Sequence, residues 1–251
     1  MHYGSLNLTI SNAASPVVRV SGELDAESSG FFETTLREAL GRRACTFNLD
    51  LADLSFADSI GLHALVTIAI EAGNLGRKLN ISSMSAHVDH MLTLAGFRHF
   101  FTILGAPQEL PNATPPRQLG DPTSSFEVPK GIGSCRIARD QVYSFAAKMG
   151  FEAMALEDIK LAIGEAVSNA IRHGAITCEN VRLHCENSRG RLVVTITYPS
   201  AEFDPSAVPI PTYSTAAEGG MGIYFMKLVM DRVNYEFQEG STVLTLEKKL
   251  A

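Results

Sequence analysis

The chain has 251 residues, of which 45% are hydrophobic and 19% charged, and its formal net charge is -6. That length accommodates two domains of ordinary size, and the balance is that of a folded globular protein, which excludes disordered, collagenous and fibrous classes. An acidic total with no Lys/Arg run longer than two excludes a broadly basic nucleic-acid surface, so no direct nucleic-acid partner is expected.

The amino-terminal stretch "MHYGSLNLTISNAASP" has neither a basic region nor a sustained apolar core, and the longest greasy run, "LHALVTIAIEAG", is too short to span a bilayer. A cytoplasmic protein without a membrane segment is expected. Cys45, Cys135, Cys178 and Cys185 form no C-x-x-C pair and read as reduced, partly buried thiols.

In chain order, "LNLTI", "VVRVSGEL", "TFNLDLA", "KLNISS" and "FFTIL" are short β-branched or apolar runs that predict strands. Between them fall helical stretches, "DAESSGFFETTLREALGRR", "DSIGLHALVTIAIEAGNLG" and "SAHVDHMLTLAGF", each opened by Asp or Ser. The order β-β-α-β-α-β-α-β predicts a small mixed sheet with helices packed against it.

Asp58 and Ser59 precede an apolar-periodic helix with Gly61 in its first turn, where backbone N–H groups lack partners and attract anions. Two readings follow from these residues alone: a helix N-cap, or an exposed serine whose phosphorylation would bring about -1.5 to -2 charge to an edge and repel a docked partner. "SGELDA" and "FADSIGLHAL" resemble the STAS domains of anti-sigma-factor antagonists. That resemblance implies that Ser59 is the phosphoacceptor and that Asp58 beside it contacts a partner.

Residues 105 to 125, "GAPQELPNATPPRQLGDPTSS", contain five of the eleven prolines and no periodic apolar pattern, and read as a linker over 106–124. It divides the chain into residues 1–105 and 125–251.

Beyond it, "SSFEVP" predicts a strand, residues 133–149 and 156–173 helices, and "VRLHCEN" and "RLVVTITY" strands. A Pro/Ser/Thr-rich stretch over 199–217 follows, then a helix "GMGIYFMKLVMDRV" and the strands "NYEFQEG" and "STVLTLEKK". An α+β sandwich with a long loop before its last helix is expected.

The helix "LAIGEAVSNAIRHGA" carries Glu165, Asn169 and His173 at intervals of four, which places them on one face. Spacing leaves two readings open: a solvated face, or a carboxylate and carboxamide that hold hydrated Mg²⁺ and activate a nucleophile. "IKLAIGEAVSNAIRHGA" resembles the N-box of the GHKL (Bergerat-fold) ATPases, and the segment around it is similar to the anti-sigma-factor serine kinases. The resemblance implies ATP and Mg²⁺ as cofactors, Asn169 on Mg²⁺, Glu165 as the base toward a substrate serine and His173 at the pocket edge. "EGGMGIYFMKLVMDRVNY" resembles the G2 box of that family, in which Gly220 and Gly222 let backbone N–H groups approach phosphates. Arg139, on the first helix of this unit, lies where the family contacts a sigma factor or a dimer mate; a solvated face is the alternative.

One motif departs from the family. The expected Asp-x-Gly-x-Gly-Phe-Asp pattern, whose first Asp receives the adenine amino group, is replaced by "YPSAEFDP", with Tyr198, Ser200 and Glu202 in place of the Asp and the two glycines. Together the resemblances imply a partner-switching regulator whose partners are a sigma factor, other anti-sigma or STAS proteins, a serine phosphatase and a second copy of the chain. The alternative is a pseudokinase scaffold that binds proteins without nucleotide.

Overall fold

The computed structural model describes residues 1–11, 15–41, 46–110, 122–175, 178–202 and 221–250. The chain divides into two compact units, Met1–Leu110 and Pro111–Ala251. Among the described residues no helix is long and apolar enough to cross a membrane.

The first unit runs β1 (His2–Tyr3), β2 (Leu6–Ile10), β3 (Val17–Leu24), α1 (Ser29–Leu40), β4 (Thr46–Leu51), β5 (Leu54–Ala57), α2 (Ser59–Asn74), β6 (Lys78–Met84), α3 (Ala86–Leu94) and β7 (Thr102–Ile103). Its sheet has the order β1-β2-β3-β4-β6-β7, with β5 paired to β3. The pairs β1–β2 and β2–β3 are antiparallel, as hairpins allow, whereas β3–β4, β4–β6 and β6–β7 are parallel and joined through helices. Alternation in β2 and β4 puts Leu6, Leu8, Phe47, Leu49 and Leu51 into the core.

The short strand β5 is absent from the elements read from the sequence, because four residues are too few for a period-two pattern to stand out. It exists because β3 changes partners along its length. Val17–Arg19 pair with Asn48–Asp50 of β4, and Gly22–Leu24 pair with Leu54–Ala57 of β5. The switch pivots on Gly22, which has φ +93°, and a side chain there would overlap the Ser5 carbonyl oxygen. Only glycine suits that conformation and that approach.

The second unit runs β8 (Thr123–Pro129), α4 (Ser134–Met149), α5 (Ala153–His173), β9 (Asn180–Asn187), β10 (Arg191–Pro199), α6 (Met221–Val229), β11 (Arg232–Gln238) and β12 (Ser241–Lys249). The sheet is antiparallel throughout, in the order β11-β12-β10-β9-β8. Inward-facing residues of β9, β10 and β12, among them Leu183, Cys185, Val194, Ile196, Leu244 and Leu246, are buried, while their alternates are open or half-open. The helices therefore cover one face only. α5 is buried nearly all round its middle, as the central helix of the layer.

The last helix is shorter than its sequence pattern predicts. α6 ends at Val229 and β11 begins at Arg232, because the chain here is captured by β12: the Asp231 N–H donates to the Glu247 carbonyl at 2.9 Å, and Lys248 Nζ donates to the Val229 carbonyl. The expected linker is likewise trimmed at both ends. Gln108 exchanges backbone bonds with Met84 and Ala86, and Thr123 and Ser124 belong to β8; residues 111–121 lie outside the described residues.

Candidate functional site

Helical spacing puts Glu165, Asn169 and His173 on one line of α5, and the tertiary structure grades that line from inside to outside. Glu165 is 4% exposed, Asn169 is half-buried and His173 is exposed. A solvated face is thereby ruled out for Glu165. Carboxylates are rarely buried without a specific environment, because an isolated charge in a low-dielectric interior is costly. His173 titrates below the ordinary histidine range, first through partial burial and then through the charge of Arg172.

What faces Glu165 is the first turn of α6. A Cβ on Gly222 would overlap Glu165 Oε2 and sit 3.3 Å from Cδ, so the carboxylate lies directly on the Gly222 backbone. The amino-terminal turn of a helix is its positive end and suits both this carboxylate and the oxygens of a phosphate. Gly220 lies outside the described residues, as do Phe203, Asp204, Pro205 and most of the long loop before α6.

The other end of α5 is tied to the end of β10. Gly174 forms a bridge with Ser200, and the Ala175 N–H donates to the Pro199 carbonyl at 2.7 Å. Gly174 permits this, since a side chain there would overlap the Ala170 carbonyl. The tie brings the Asn169 end of the helix to the "YPSAE" segment. Tyr198 is 4% exposed, and Thr242 is its partner across the sheet. The Ser200 and Thr242 hydroxyls are 2.7 Å apart. The backbone of this corner is committed as well, with the Ser200 N–H donating to the Gly240 carbonyl at 3.1 Å. Glu202 is exposed.

Tyr235 of β11 completes the cluster. Its buried hydroxyl faces Asn169, Tyr198 and Glu165, and burial, followed by the charge effects of those neighbours, holds it above the ordinary tyrosine range, with the Asn169 carboxamide acting in the opposite direction. Burial likewise raises Tyr198, eased by Thr242. Both phenols therefore stay neutral. Neither Tyr235 nor Thr242 is singled out by sequence reasoning: Tyr235 is one of three consecutive half-buried residues of β11, Thr242 is an inward position of the alternating β12, and only the fold brings them to this corner.

Glu165 and Gly222 thus meet, with Asn169 one turn along the same face of α5, although Gly222 is more than fifty residues from either in the chain. A carboxylate, a carboxamide oxygen and a helix amino terminus fit a hydrated magnesium with polyphosphate. Among the described residues no three His, Cys, Asp or Glu side chains are grouped to hold a metal by themselves, so magnesium here would be completed by phosphate oxygens. Among the described residues, the end of β10 at Tyr198, Ser200 and Thr242 carries three hydroxyls where the family pattern places a carboxylate.

In the first unit, Asp58 caps α2. Oδ1 accepts from the Gly61 N–H at 2.8 Å and Oδ2 from the Ala26 N–H at 3.0 Å, so both oxygens are turned inward and the residue is 5% exposed. This corrects the expectation that Asp58 presents itself to a partner. Asp58→Ala is expected to lower the stability of the first unit by about 1–2 kcal/mol, the usual cost of a lost cap; an unchanged melting transition would remove the capping role. Ser59 opens the helix and is 6% exposed, a correction to the exposed edge expected for it.

Arg139 is also corrected. It is 1% exposed, among the largest wholly buried side chains, and its charge acts on Glu157 inside the second unit. It is neither on a solvated face nor presented to a partner.

Two family patterns match the chain: the STAS domain over residues 6–109 and the histidine kinase-like ATPase domain over residues 129–248. Over 126 residues the chain is 32% identical to serine-protein kinase RsbW of Bacillus velezensis, spanning 46% of this chain and 76% of that protein. The chain belongs to the family of the RsbW serine-protein kinases. RsbW of Bacillus subtilis is 30% identical over 125 residues, with the same shares of each chain covered. Among solved structures, an anti-sigma factor antagonist from Mycobacterium paratuberculosis superimposes with a TM-score of 0.37 at 19% identity, covering 41% of this chain and 87% of that one. The chain therefore joins a STAS unit to an RsbW-type ATPase unit, and the stripe on α5 lies in the latter.

Proposed function

We propose that this chain is a cytoplasmic partner-switching regulator of sigma-factor control, in which an antagonist-type STAS module ending near Leu110 is joined through a Pro-rich linker to a serine-kinase-type ATPase module that begins at β8. The observation that carries the reading is the packing of buried Glu165, one helical turn from Asn169, against the Gly222 backbone in an RsbW-type unit. In this reading ATP with Mg²⁺ occupies that corner. Asn169 offers the carboxamide oxygen to the metal, Glu165 takes the proton of an attacking serine hydroxyl, and His173 borders the entrance. Transfer moves the γ-phosphoryl group onto serine and leaves ADP. Ser59, or the matching serine of a separate STAS protein, is the acceptor. A sigma factor or another switch protein is held or released according to that mark, a serine phosphatase reverses it, and a second copy of the chain completes a homodimer.

The test combines Mg-ATP titration by calorimetry with peptide mapping of Ser59. Saturable ATP binding and a phosphate gain on serine, the gain falling by about 100-fold or more in Asn169→Ala, are expected. No binding at millimolar ATP, with a sigma factor or STAS protein still captured, would replace the kinase by the second reading, a nucleotide-free scaffold. That reading is favoured by one observation, the Tyr198, Ser200 and Thr242 corner where an adenine-reading carboxylate is expected.

A further inference from the structure

Adenine and guanine differ most plainly at the purine C6 edge: adenine presents an amino donor there and guanine a carbonyl acceptor. An ionised carboxylate only accepts hydrogen bonds, so a site built on one pairs with adenine and leaves guanine's carbonyl facing a negative acceptor. Among the described residues, the corner formed by Tyr198, Ser200 and Thr242 carries hydroxyls in place of a carboxylate, and Glu202 beyond it is exposed. Tyr198 is 4% exposed, Thr242 is 4% exposed and directly across the sheet from it, and Ser200 Oγ is 2.7 Å from Thr242 Oγ1. Each of these hydroxyls can donate or accept by rotating about its C–O bond.

The backbone groups of Pro199 and Ser200 do not supply the missing discrimination. The Ser200 N–H is taken by the Gly240 carbonyl, the Pro199 carbonyl by the Ala175 N–H, and proline has no N–H to give. Among the described residues the hydroxyl corner is thus a polar reader at the end of β10, and its hydrogen-bond sense is reversible.

We propose that the hydroxyl set Tyr198, Ser200 and Thr242 makes this a purine nucleotide site without adenine selectivity, accepting GTP about as well as ATP. The proposal rests on the nucleotide-binding reading above and specifies the class of ligand that site takes. Neutrality of the corner is part of it: the burial that keeps the Tyr198 phenol protonated preserves its ability to donate.

The test is competitive titration of the full-length protein with Mg-ATP, Mg-GTP and Mg-tripolyphosphate, read by calorimetry. The dissociation constants for the two nucleotides are expected to agree within about threefold, with tripolyphosphate weaker by about tenfold or more, the loss expected when one buried hydrogen bond to the base is removed. Tyr198→Asp is expected to move the pair apart, weakening GTP relative to ATP by about tenfold. ATP bound more than about tenfold tighter than GTP by the unmodified protein would overturn the proposal while leaving nucleotide binding in place. Tripolyphosphate bound as tightly as either nucleotide would also overturn it, since no base is then being read. Absence of binding by both nucleotides would defeat the nucleotide-binding reading itself, and the proposal with it. Because the comparison is made on the unmodified protein, a misfolded Tyr198→Asp would not weaken the test.

Discussion

Gly61→Ala is expected to destabilise the first unit by about 3 kcal/mol, at the upper end of the range for overpacking a closed site. The added methyl group would overlap the Leu24 carbonyl oxygen and stand 2.7 Å from its carbon, and these are backbone atoms that cannot rotate away. Either α2 or the end of β3 must move. Both are pinned, because the Asp58 N–H donates to that same Leu24 carbonyl at 3.2 Å and the Asp58 carboxylate bridges Gly61 to Ala26. For a unit of roughly a hundred residues each kcal/mol corresponds to about 4–8 °C, so a fall of about 12 °C or more in its calorimetric transition is expected. Alanine is a better helix former than glycine by about 1 kcal/mol, so propensity alone predicts the opposite sign. A transition that stays in place or rises would show that the close approach of α2 to β3 is not maintained in solution.

Gly222→Ala is expected to separate activity from stability. Here the added methyl group meets the end of a side chain, Glu165 Oε2, and not fixed backbone, so the fold can yield by displacing the carboxylate. The stability cost is about 1–2 kcal/mol, within the usual range for an inserted methylene. If Glu165 is the base for an attacking serine, its displacement removes general-base assistance, which contributes about 100- to 10,000-fold. Phosphate transfer to serine should therefore fall by about 100-fold or more while the melting transition of the second unit moves little. Glu165→Gln should reproduce the rate loss without the steric change. Transfer at the unmodified rate in Gly222→Ala would mean that the Glu165 carboxylate, as packed here, takes no part in the reaction.

Much of the fold was legible because periodicity is a local property. The two alternating strands β9 and β10, the long helix α5 and the Asp or Ser openings of the first-unit helices are visible in consecutive residues. Elements set by long-range pairing were not. β5 depends on the bend at Gly22, and the boundary between α6 and β11 depends on capture by β12. Arg139 and Asp58 differ from expectation for the same reason: the family resemblances imply partner contacts for both, while burial is decided by what packs on top.

The candidate site divides in the same way. The sequence by itself determined that Glu165, Asn169 and His173 share one helix face, since 3.6 residues per turn allow nothing else, and that the adenine-reading pattern is interrupted at Tyr198. Tertiary structure alone decided which stripe residues are chemically special. It buried Glu165 against the Gly222 backbone, left His173 in solvent, and brought Tyr235 and Thr242 from two later strands to the same corner. A helical period specifies direction around one axis; the neighbours met in that direction come from chain segments tens of residues away, and only their packing sets solvation, hydrogen bonding and charge.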